Sequence, residues 1–303
     1  MTKPLLRVCC VCLSVAVASC QPGPTAPDSE EVLADQHAGY TLEYIGADRA
    51  VAASLVPLID RGRQTAEQFF GTAYPATFVV KILHDRDALN ARWRVAFRQP
   101  GLETRCWEVA GGWATEFDIL SPAAWNSQAC GHDGTNANDV ANVVAHELVH
   151  VMHGQRNTAF FSIAASTPWI LEGLAAYASG QWAAEYDSAA RAPLSGGFAP
   201  VTFAEIWTSS ANYALAGSVF AYIHHRFGTD AVRRLLTVGS EEALLTSLSS
   251  DAATLLGDWR LWVMAASLPR GTCCTSGCET SSASRKGPRS SSSNGITRSV
   301  VPQ

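Results

Sequence analysis

The segment His146-Glu147-Leu148-Val149-His150 restricts the fold of this chain more than any other. Val140, Val143, Val144, Leu148 and Val151 recur around it at three- and four-residue spacing, which predicts a helix over residues 139–153 with Gly154 after its last turn. Asn138 or Asp139 is the expected N-cap. On a helix, positions 146 and 150 stand one turn apart, about 6 Å along the axis, so both imidazoles project from one face. Two imidazoles aimed at one point can share a metal ion, and Glu147 beside them is placed to act on a water held there. Only three positions of this pattern are fixed, and a chain with 8 histidines meets it by chance now and then, so its context decides. Two histidines furnish half of a tetrahedral site, and a further ligand must come from another element.

A second helix is predicted over residues 168–179, with Thr167 as cap and Pro168 at the first helical position, and Glu172 falls in its second turn. His146 to His150, followed after 21 residues by Glu172 within Pro168-Trp169-Ile170-Leu171-Glu172-Gly173-Leu174-Ala175-Ala176-Tyr177, resembles the gluzincin zinc metallopeptidases of the peptidase MA-like group. Their second motif is a run of Trp, Leu or Ile, Glu, Gly, Leu or Phe, and Ala. The resemblance implies a zincin-like, thermolysin-like catalytic domain in which His146, His150 and Glu172 bind zinc and Glu147 is the general base. The activity implied is hydrolysis of peptide bonds in a peptide or protein substrate. A donor for the developing oxyanion is also implied, and Tyr213 in Asn212-Tyr213-Ala214-Leu215-Ala216-Gly217 is the candidate, although in related aminopeptidases the glycine follows one residue sooner. The other reading of Tyr213 is a core tyrosine, and Tyr177 and His224 are weaker substitutes for it.

The chain departs from the pattern of the family it resembles in two places. The G-x-M-E-N motif with which aminopeptidases hold a free amino terminus is absent; Gly111-Gly112-Trp113-Ala114-Thr115-Glu116, on an expected edge strand, echoes it distantly. An endopeptidase is therefore the expected activity. Position 176, where thermolysin-like enzymes keep an Asp to support a zinc histidine, is Ala176, so that support must come from elsewhere. A metzincin site is excluded because it needs Gly at 153 and His at 156, where this chain has His153 and Arg156. His153 reads as a helix-end or pocket residue. A competing class is a non-catalytic zinc-containing envelope lipoprotein that binds peptides or acts as a scaffold, and the presence of Glu147 speaks against it, since a structural site has no use for a base.

The amino terminus carries an address. Met1 to Arg7 is a basic n-region, Val8 to Ala18 an apolar run too short to span a bilayer, and Val17-Ala18-Ser19-Cys20 resembles the bacterial lipobox. Residues 1–19 are thus expected to be a lipoprotein signal peptide, Cys20 the lipidated anchor to a membrane, and residues 20–38, rich in Pro and acid, a flexible tether. The expected location is the outer membrane or cell surface; cleavage after Ala18 would instead give a soluble periplasmic or secreted protein. In such a compartment Cys106 and Cys130 are expected to form a disulfide or to remain two buried thiols. Residues 20–269 hold 15 basic and 26 acidic side chains, a balance that excludes nucleic acid as a partner.

Strands are expected at 40–44, 77–83 and 113–120, and helices at 48–70, 139–153, 168–179, 211–227, 229–237 and 251–266. Strands first and helices afterwards predict an α+β fold with a small mixed amino-terminal sheet and a mainly helical carboxy-terminal half, over a domain spanning 39–269. Residues 270–303, rich in Ser and Arg with Cys273, Cys274 and Cys278, read as a disordered tail. Its composition breaks so sharply with the helical pattern before it that a shifted reading frame is a further reading.

Overall fold

Alternation of buried and half-buried positions builds the sheet. In the computed structural model, which describes residues 31–265, the strands are β1 (Val32–His37), β2 (Tyr40–Ile45), β3 (Phe78–Leu83), β4 (Ala110–Trp113) and β5 (Glu116–Leu120). They lie in the order β1-β2-β3-β5-β4. The inner pairs β2–β3 and β3–β5 are parallel and both edges antiparallel, so the sheet is mixed. The parallel pairs are joined through helices α1 (Arg49–Phe70) and α2 (Arg86–Ala96), as parallel strands require. The fold is α+β.

Registered side chains give the sheet two unlike faces. Leu42, Val80 and Phe117 align on one face, fully buried. On the other, Glu43, Lys81 and Asp118 align, and Arg92 of α2 reaches down to them. Lys81 Nζ lies 2.9 Å from Glu43 Oε2, and Arg92 pairs with Glu116 and, at 3.3 Å, with Asp118. Burial pushes the Asp118 carboxyl up to about 6, against the opposing charges of Arg92 and Lys81.

The helix predicted around His146 is α4 (Ala137–Arg156), and it packs on the apolar face of the sheet. Its cap is Asn136, whose side chain accepts from the Asn138 N–H, rather than Asn138 or Asp139. Gly154 does not stop it. That glycine lies inside the helix because a Cβ there would come within 2.6 Å of the Ala114 nitrogen at the β4–β5 turn. Helix α1 runs unbroken through Pro57, and its end is set by Gly71, at φ +67°.

The helical half comprises α3 (Pro122–Gln128), α5 (Phe160–Ser166), α6 (Pro168–Ala178), α7 (Asp187–Ser195), α8 (Phe203–Thr208), α9 (Asn212–Phe227), α10 (Thr229–Arg234), α11 (Glu241–Ser247) and α12 (Ala252–Met264). Helices α6 and α9 approach closely, since a Cβ at Gly173 would sit 2.8 Å from the Ala216 carbonyl oxygen. Pro168 opens α6 as expected, but the Thr167 hydroxyl does not cap it and bonds back to the Ile163 carbonyl.

Two further sequence expectations are corrected. The strand expected at 113–120 is a hairpin, β4 and β5, because Ala114 and Thr115 turn the chain. Residues 32–37, assigned to the tether, form β1, where Tyr44 donates to Asp35 across the pair at 2.7 Å. The segment after β3, to which the sequence pattern assigns no element, is helix α2, capped by Asp85, which accepts from the Ala88 N–H at 2.8 Å. The expected signal peptide, the expected lipidation site Cys20, the start of the expected tether and the 270–303 segment lie outside the described residues. Among the described residues no helix is long and apolar enough to cross a membrane.

Cys106 and Cys130 are joined by a disulfide that ties the loop before β4 to the end of α3. Arg86 clamps the same region, its guanidinium donating to the carbonyls of Arg105, Cys106, Glu108 and Gln128.

Candidate metal centre

Helix α4 presents His146 and His150 on one face, and α6, beside it, brings Glu172 to them. His146 Nε2 lies 3.1 Å from Glu172 Oε2, His150 Nε2 lies 3.3 Å from the same oxygen, and the two Nε2 atoms are 3.1 Å apart. Three potential ligand atoms thus form a nearly equilateral triangle. Bonds of about 2.0–2.1 Å at tetrahedral angles put ligand atoms about 3.3 Å apart, so the triangle has the size of one face of a tetrahedral site. The three residues, all buried, could hold a metal ion.

The electrostatics fit a cation. Burial alone would push the His146 imidazole down, yet the hydrogen bond with Glu172 and the charges of Glu147 and Glu172 outweigh it and hold the pKa above its ordinary value. Burial likewise pushes Glu172 up, and His150 and His146 outweigh it, so the carboxylate sits below its usual range. Each partner thus favours the charged form of the other against the penalty of burial.

Glu147, 1% exposed, is on α4 next to these ligands. Tyr213, near the start of α9, places its ring 6.2 Å from that of His146 and packs against Trp207 at 5.2 Å. Tyr177 does not join the cluster; its hydroxyl bonds His224 Nδ1, whose other nitrogen is 2.8 Å from Thr229 Oγ1. His153 also stands apart. Its Nε2 accepts from Asn157 at 3.2 Å, its ring meets Phe160 edge-on, and burial, with His150 nearby, pushes its pKa down to about 3.

One contact was not foreseen. Gln181, fully buried, places Oε1 2.9 Å from His146 Nδ1. It follows Gly180, which turns the chain at φ +84° just beyond α6. No residue pattern around position 181 marks it, because its role depends on where that turn sends the side chain.

Gly112 of β4 packs against α4 at Glu147 and His150, so the edge strand lies directly against the helix that carries the histidines. Comparison with protein-family models and with curated proteins finds no match to the chain.

Proposed function

We propose that this protein is a zinc-dependent metallopeptidase of the gluzincin type with a thermolysin-like catalytic domain, acting as an endopeptidase at the bacterial cell envelope. The observation that carries the reading is the convergence of His146, His150 and Glu172, from two helices, on a triangle of tetrahedral size. Two neutral imidazoles and one carboxylate suit zinc and leave it a net positive charge. A zinc ion held there supplies Lewis-acid polarisation of a carbonyl and acidification of water.

The chain's own groups divide the remaining tasks. The Glu147 carboxylate takes the proton of the attacking water and returns it to the leaving amine. The Tyr213 hydroxyl stabilises the oxyanion that forms on the scissile carbonyl. The edge strand β4 lies on the flank of α4, and because its four residues are buried, pairing with an extended peptide requires movement at this edge. Export and lipidation at Cys20 complete the reading and place the domain at a membrane surface.

One observation favours the second reading, a zinc-containing envelope lipoprotein without catalysis. His146, Glu147, His150, Glu172 and Tyr213 are each no more than 2% exposed, whereas a catalytic site keeps one position open. Hydrolysis then requires movement over the site, where the half-exposed Trp207 packs on Tyr213. The experiment that separates the readings measures zinc content and cleavage of an unbiased peptide mixture. Glu147→Gln is expected to keep zinc and lose cleavage, and His146→Ala to lose both. Stoichiometric zinc with no cleavage by the unmodified protein would favour the second reading; no zinc would remove both.

A further inference from the structure

Of the two ligand imidazoles, only one is held from behind by a side chain. His146 Nδ1 faces Gln181 Oε1 at 2.9 Å, while His150 Nδ1 is buried and makes no hydrogen bond among the described residues. A histidine that binds metal through Nε2 carries its proton on Nδ1, so the group opposite must be an acceptor. Gln181 presents its carbonyl oxygen in that place, and the amide orientation is fixed by this requirement.

The other end of the glutamine points the same way. Its Nε2 is buried and makes no hydrogen bond among the described residues, and an unpaired buried donor destabilises a fold. The hydrogen bond of its side chain is the one that Oε1 makes with His146. The same helix end delivers both partners. Glu172 lies within α6, and Gly180, in the left-handed region just past it, turns the chain so that Gln181 comes back to His146.

We infer that Gln181 is a positioning residue: it holds His146 in the Nδ1–H tautomer and aims Nε2 at the zinc site through a neutral acceptor. The inference rests on the zinc reading above. A neutral partner orients the ring without adding negative charge, which leaves more net positive charge on the ion than a carboxylate partner would.

The test is competition between the full protein and a chromophoric chelator for zinc, with Gln181→Leu and Gln181→Glu beside the unmodified chain. Gln181→Leu, similar in size but without the acceptor, is expected to bind zinc about 10- to 100-fold more weakly. Gln181→Glu, which restores an acceptor, is expected to recover that loss. Equal zinc affinity in Gln181→Leu and the unmodified protein overturns the inference while leaving the zinc site standing; no zinc in the unmodified protein overturns both. Because Gln181→Leu can fail to fold, proton NMR of the zinc-loaded unmodified protein is the second measurement. A slowly exchanging His146 Nδ1–H resonance is expected, and its absence overturns the inference without any variant.

Discussion

Gly112 on β4 stands so close to Glu147 that a Cβ added to it would lie 2.3 Å from the Glu147 carbonyl oxygen. No side chain fits there unless strand and helix move apart, and the helix that would move carries both histidines. Gly112→Ala is therefore expected to cost about 1–3 kcal/mol, the usual range for overpacking. It should also lower zinc bound per chain. Urea unfolding and metal analysis check this, with Gly257→Ala as the contrast. An added Cβ meets nothing within 4 Å at Gly257, which lies inside α12, so alanine there is expected to stabilise by about 0.5–1 kcal/mol.

Tyr213 is tested by its hydroxyl alone. Tyr213→Phe keeps the ring between Trp207 and His146 and removes the donor. The expected result is a kcat lower by about 10²–10³ with zinc content unchanged, the scale for losing one oxyanion donor. A kcat within a few-fold of that of the unmodified protein would make Tyr213 a packing residue only.

The existence of α4 and the nearness of His146 to His150 were legible in the sequence because both rest on local regularity, whereas Glu172 was joined to them only by the family resemblance. Val140, Val143, Val144, Leu148 and Val151 mark the buried stripe of α4, and His146 and His150 sit one turn apart on it, so that their shared direction follows from spacing. What was not legible depended on contacts between distant segments. Gly154 looked like a helix stop and instead makes room for Ala114, 40 residues earlier. The hairpin at Ala114-Thr115 lacks a strong turn signature, so two short strands read as one. Helix α2 carries three arginines and an aspartate over 11 residues, a polar surface that masked the buried Leu89 and Trp93. Gln181 could not be read at all, since its partner is 35 residues away.

The Cys106–Cys130 disulfide encloses β4, β5 and α3. Closing a loop of sequence separation 24 restricts the unfolded chain, an effect of about 3 kcal/mol in the loop-entropy account. The double variant Cys106→Ala with Cys130→Ala is expected to unfold at correspondingly lower urea. Arg86 clamps the same loops, so the native arrangement should survive in water. Near-ultraviolet circular dichroism checks the second point: a native spectrum is expected, and its loss would mean that the clamp cannot hold the region without the cross-link.

Asp118 gives the fold a pH dependence of defined sign. Burial raises its folded pKa to about 6, Arg92 and Lys81 offsetting part of that, whereas an unfolded aspartate titrates near 3.9. Between those values the folded state binds the proton that the unfolded state has released, so unfolding free energy falls as pH rises. The contribution of Asp118, measured against Asp118→Asn, is thus fully present below about pH 4, declines by about 3 kcal/mol, and is level above about pH 6. Asp133 and Asp251 run the other way: hydrogen bonds to Thr135 and Thr254 hold their carboxyls low, and they add stability that is lost on acidification. The total curve mixes both signs, and only the difference between the unmodified protein and Asp118→Asn isolates this site. Urea unfolding of the pair at pH 4.5, 5.5, 6.5 and 7.5 checks it, under the principle of proton linkage. A difference that is flat across that range would mean that Arg92, 3.3 Å away, keeps the buried carboxylate ionised throughout.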